Sequence, residues 1–130
     1  MKFSSVFIWI LRLIAAVIML QTLFFKFTAH PQSVHLFTEL GMEPWGRIGT
    51  GVVELVASLL ILYPRTTGIG ATIGTGLMAG AIFFHLTTLG IKFDGDYVLF
   101  IYAVIAFSCC AILVWIFRSQ VLRLLGYRMA

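Results

Sequence analysis

Four long apolar blocks, at about 6–25, 47–63, 69–89 and 97–117, take up most of this 130-residue chain and leave only short polar connections between them. A helix that crosses a bilayer needs about 20 mostly apolar residues, so each block suffices for one crossing, the second only with Arg47 at its mouth. Lipid offers no water to backbone N–H and C=O groups, so a crossing segment of this kind must be helical. Composition agrees: 61% of residues are hydrophobic and 11% charged, where soluble domains carry about 25% charged residues. The expected fold is therefore all-α, an integral membrane four-helix bundle forming a single domain over 1–130, with no room for a soluble catalytic domain. Lys2 ahead of the first block has the look of a secretory signal. Arg12 interrupts that block and no small-residue cleavage site follows it, so it reads as a retained helix.

Four crossings put both termini on one side. On that side fall Lys2, Arg65, Arg118, Arg123 and Arg128, and on the other Lys26, Arg47 and Lys92. The positive-inside rule then places the termini in the cytoplasm, with Glu39, Glu43, Asp94 and Asp96 outside. The net charge of +4 is read as membrane orientation rather than as a nucleic-acid footprint. Trp9, Tyr63 and Trp115 mark the expected inner interface, and Trp45 and Tyr97 the outer one.

The first outer loop is the longest connection. Pro31 suits a first helical turn, Val34, Phe37 and Leu40 recur every three residues, and Gly41 is a natural stop. A short amphipathic helix on the membrane surface is expected, with a capping role or a plain connector as its two readings. Pro44 then marks a turn back into the bilayer.

In the third block Gly70/Gly74 and Gly76/Gly80 are spaced to let helix backbones approach closely in lipid. Gly70, Gly74, Ala81 and His85 share one face, so His85 looks into the bundle. In the second block Arg47, Thr50, Gly51, Glu54, Ser58 and Arg65 line another. At 1.5 Å per residue, Glu54 lies roughly 10 Å below the outer end, His85 roughly 7 Å and Gln21 roughly 6 Å, with Lys26 near the surface. Glu54 and His85, with Lys26 at the mouth, form the candidate cluster. Gln21 points about 180° from Arg12, so the two cannot both face one interior. Intramembrane ionisable groups either pair structurally or line a functional cavity. Glu54 and His85 are the candidates for proton handling, since imidazole titrates near neutral pH. A plain interhelical hydrogen bond is the other reading of His85, and Arg12 reads as a structural group bonding inner-side carbonyls or lipid phosphates.

Leu11-Arg12-Leu13 in the first span, Lys26 at its exit, Pro31 and Leu40-Gly41 in the loop, Glu54-Leu55 in the second span and His85 closing the third resemble the DoxX family of small four-helix membrane proteins. The resemblance covers nearly the whole chain, with one departure: Leu23-Phe24-Phe25 stands where the family often has small residues. It implies a bacterial plasma-membrane protein, an accessory or quinone-interacting subunit of an oxidoreductase system linked to thiosulfate, thiol or oxidative-stress chemistry. Carried over, it makes Arg12, Lys26, Glu54 and His85 binding candidates, with Gln21 added from depth alone.

Quinone is the one cofactor implied; the sequence carries no haem or flavin motif. His30 and His35, five apart, do not make a one-face metal pair. Cys109 and Cys110 point about 100° apart near mid-membrane and read as packing residues. The expected partners are the lipid bilayer, membrane or redox proteins, and a second copy of the chain. Two alternative functions stand beside the redox one: a non-enzymatic module that binds lipid or a hydrophobic small molecule or docks a membrane protein, and proton-coupled transport. For transport, four helices without internal repeats are too few for alternating access in a monomer.

Overall fold

A computed structural model describes residues 4–93, 95, 97–124 and 126. Lys2, Asp94, Asp96 and Arg128, used in the charge reading, lie outside the described residues. Six helices follow in order: α1 (Ser5–Phe27), α2 (Pro31–Glu39), α3 (Trp45–Leu62), α4 (Thr67–Phe84), α5 (Val98–Ile116) and α6 (Arg118–Leu124), with a π-helical turn, His85–Leu89, extending α4. Four of these, α1, α3, α4 with its π turn, and α5, are long and apolar enough to cross a membrane. They coincide with the four apolar blocks to within about two residues at most ends.

Around the bundle α1 touches α3 and α5, and α4 touches α3 and α5, so α1 and α4 stand diagonally. Large apolar side chains such as Val17, Leu59 and Phe83 face outward, as expected of helices solvated by lipid. Trp9, Tyr63 and Trp115 are exposed at the end that carries the termini, and Trp45 and Tyr97 at the opposite, loop end.

The tightly packed core occupies the terminal half of the bundle. Leu11, Ala15 and Met19 of α1 meet Ala57 and Ile61 of α3, Ala71 of α4, and Ala106, Cys110 and Leu113 of α5. Small residues make this closeness attainable, since helices in lipid gain by van der Waals contact rather than by escape from water. A Cβ on Gly70 would stand 2.7 Å from the Ile61 nitrogen, and one on Gly74 2.8 Å from the Cys110 sulfur. Gly76 and Gly80 correct the expectation of a second packing pair: no neighbouring atom lies within 4 Å of where their Cβ would be.

Helix α6 is an addition to the sequence reading. Its Gln120 clamps the α3–α4 turn, accepting from the Gly68 N–H at 2.7 Å and donating to the Pro64 carbonyl at 2.9 Å. At the loop end α2 forms as expected. The His30 Nδ1 accepts from the Gln32 N–H, Pro31 occupies the first turn, and Gly41 ends the segment with φ +73°. Phe37 of α2 is buried beneath it.

Candidate functional site

Above the packed core, in the loop half, the four spans separate around a cavity of about 510 Å³ roofed by α2. That size is in the range of small-molecule sites. Its walls come from every span: Thr22 and Lys26 of α1, Thr50 and Glu54 of α3, Gly76, Gly80 and His85 along α4 and its π turn, and Tyr102 of α5. Leu36, Phe37 and Leu40 close it from α2.

Glu54 lies nine residues into α3, about 13 Å along the helix, and is 1% exposed. Two groups of α1 meet it. Lys26 Nζ stands 2.6 Å from Oε1, and the Thr22 hydroxyl 2.6 Å from Oε2. Thr22 and Lys26 are four apart and so share a helix face. The Thr22 hydroxyl also lies 3.0 Å from the Met19 carbonyl, but a carboxylate is the stronger acceptor. Among the described residues Oε1 accepts no hydrogen bond. Its contact with Lys26 is an ion pair, and the Lys26 side chain is 15% exposed.

Arg47, expected only as a rim residue, braces this arrangement. Its Nε donates to both carboxylate oxygens of Glu43, at 2.9 and 3.0 Å, and its Nη1 to the Lys26 carbonyl at 2.5 Å. The end of α1 is thereby tied to the start of α3, which fixes where the Lys26 side chain begins. Gly51 adds to the fit, since a Cβ there would stand 2.6 Å from the Phe27 ring.

His85 opens the π turn and is 3% exposed. Such turns widen the helix by one residue and are frequent at functional sites. Gly90, at φ +79°, turns the chain back so that its carbonyl lies 3.0 Å from His85 Nδ1. Only glycine enters this backbone region freely. The imidazole also packs edge-on to Phe100, with ring centroids 5.7 Å apart.

The structure brings Lys26, Glu54 and His85 to one cavity and leaves Gln21 and Arg12 outside it. Gln21 is exposed on the outward face of α1, because that face opposes the one that buries Arg12; Thr22, the next residue, takes the inward place. Arg12 is buried in the terminal half. Its guanidinium sits 4.5 Å from the Trp9 ring centre and 5.2 Å from that of Phe117, and among the described residues its Nε has no hydrogen-bond partner. His30 lines the cavity roof, whereas His35 lies outside it and pairs with Glu39 at 3.3 Å. Among the described residues, no three His, Cys, Asp or Glu side chains converge as metal ligands. Cys109 and Cys110 are buried free thiols.

The site thus sets the Lys26 ammonium, the Glu54 carboxylate, the His85 imidazole and the hydroxyl residues Thr22 and Tyr102 in largely apolar walls. Thr22 and Tyr102 escaped the sequence reading. Thr22 had a signal, its four-residue spacing from Lys26, whereas a tyrosine within an apolar span has none. The model of a family described as DoxX-like matches residues 10–112, a stretch that contains all of these side chains. No curated protein and no solved structure gives a significant match.

Proposed function

The chain belongs to the DoxX-like family, and from that premise we propose that it is a membrane-embedded accessory subunit of an oxidoreductase system, binding a quinone-type carrier beneath α2. The observation that carries this reading is the Lys26–Glu54–Thr22 group set into the wall of a largely apolar cavity of small-molecule size. Buried charge at membrane depth is costly and is retained where it serves a ligand or a proton. In this reading the apolar walls take the ring and the first part of its isoprenoid tail. Lys26 donates to a ring oxygen, and Glu54 and His85 stand beside it to accept or return the protons that accompany electron transfer. Electrons pass to or from a partner protein.

The test is saturable binding of a short-tailed quinone, ubiquinone-1, to the purified protein in lipid nanodiscs. Binding in the wild type, weakened about tenfold in Glu54→Gln, is expected; no saturable binding in the wild type overturns the proposal. The ion pair within the cavity is internally neutralised, and this favours a second reading, a module that holds an uncharged lipid. Mass spectrometry of molecules that co-purify with the protein separates the two.

Orientation belongs to the same proposal. Five Lys and Arg residues fall at the terminal end and three at the loop end, and this count supports cytoplasmic termini in a bacterial plasma membrane.

A further inference from the structure

We infer that the cavity takes the hydroxyl-bearing form of its ligand, a planar phenol such as a quinol, with the hydroxyl donating to His85 Nε2 and the ring lying against bare helix backbone at Gly80. The inference rests on the proposed binding of a quinone-type carrier and adds to it which form is held and where.

The first observation is the fixed imidazole. A carbonyl oxygen only accepts hydrogen bonds, so the 3.0 Å contact between His85 Nδ1 and the Gly90 oxygen puts the hydrogen on Nδ1. In the neutral ring this leaves Nε2 with a lone pair. That nitrogen has no protein partner among the described residues, and it belongs to a residue that is 3% exposed and lines the cavity. The lone pair is thus available to the cavity in largely apolar surroundings, where a ligand that supplies a hydrogen to it gains a hydrogen bond. A quinone carbonyl has no hydrogen to give, whereas a quinol hydroxyl does. The π turn and the left-handed Gly90 are both spent on holding the ring in this one orientation.

The second observation is independent of the first. Gly70 and Gly74 are packed against neighbouring helices, but Gly80, half-buried and lining the cavity, has nothing within 4 Å of its Cβ position. This residue therefore leaves the cavity open beside α4, on the helix that ends in His85. A flat ring can approach the backbone there more closely than any residue with a side chain would allow.

The experiment compares trimethylhydroquinone, its dimethyl ether and trimethylbenzoquinone as ligands of the whole protein in nanodiscs. It is run without oxygen at about pH 8, above the ordinary imidazole range. In the wild type the hydroquinone should bind about tenfold more tightly than the ether or the quinone, the value of one hydrogen bond to a buried acceptor. His85→Phe should reduce that preference to about threefold or less. Gly80→Leu should weaken all three ligands while its ligand-free melting temperature stays near the wild-type value, because its side chain enters empty space. Hydroquinone and ether binding equally well would overturn the hydroxyl assignment and leave carrier binding standing. No saturable binding of any of the three would overturn both. Binding unaffected by Gly80→Leu would overturn the ring position.

Discussion

Lys26 and Glu54 are unequal partners, and the inequality predicts how each responds to loss of the other. Glu54 is 1% exposed and cannot reach water, whereas Lys26, at the end of α1 and 15% exposed, can extend its long stem toward the interface. Lys26→Met therefore strands a buried carboxylate and should cost about 2–4 kcal/mol, Glu54→Gln clearly less, and the double variant should recover much of the Lys26→Met loss. Thermal unfolding of the four proteins in one detergent checks this; equal costs for the two single changes would contradict it. Glu54 was legible in the sequence because charge at membrane depth is rare enough to stand out, and Lys26 because it ends the first span at the mouth above it. Thr22 was not, since a threonine hydroxyl in a lipid-facing helix can bond its own backbone, and composition cannot tell the two uses apart. Gln21 shows the converse limit: depth was readable, but which way a polar side chain points depends on the face its helix buries.

At the scale of elements, the glycines of α4 divide by what surrounds them. A Cβ on Gly70 would meet backbone atoms, the Ile61 nitrogen at 2.7 Å and the Ala57 oxygen at 2.8 Å, and backbone cannot step aside as a side-chain tip can. Gly70→Val should destabilise the bundle by about 2–3 kcal/mol through forced separation of α3 and α4. Gly76→Ala should be neutral or stabilising by about 0.5–1 kcal/mol, since alanine is the better helix former. Unfolding measurements on the pair check the contrast, and a large loss in Gly76→Ala would refute the view of an open face. Spacing alone made all four glycines look like packing residues, because a four-residue repeat marks a face without saying what the face meets. The helical spans themselves were legible from the length of their apolar blocks. The π turn was not, since one extra residue in a turn leaves no periodic trace over five positions. Nor was α6, whose seven residues are too few for a period and whose clamp depends on a single glutamine.

For the molecule as a whole, the proposed orientation gives a direct readout. Thr88 is exposed at the loop end and Arg65 at the terminal end, while the native thiols of Cys109 and Cys110 are buried and shielded from reagent. In intact cells a membrane-impermeant maleimide should label Thr88→Cys, and should label Arg65→Cys only after permeabilisation; the reverse pattern would invert the topology. The core of Leu11, Ala15, Met19, Ile61, Ala71, Cys110 and Leu113 fills the terminal half of the bundle, and the cavity lies above it. The molecule is thus a vessel with a packed base. In the proposed reading its carrier is stored, presented or exchanged in the loop half of the bilayer.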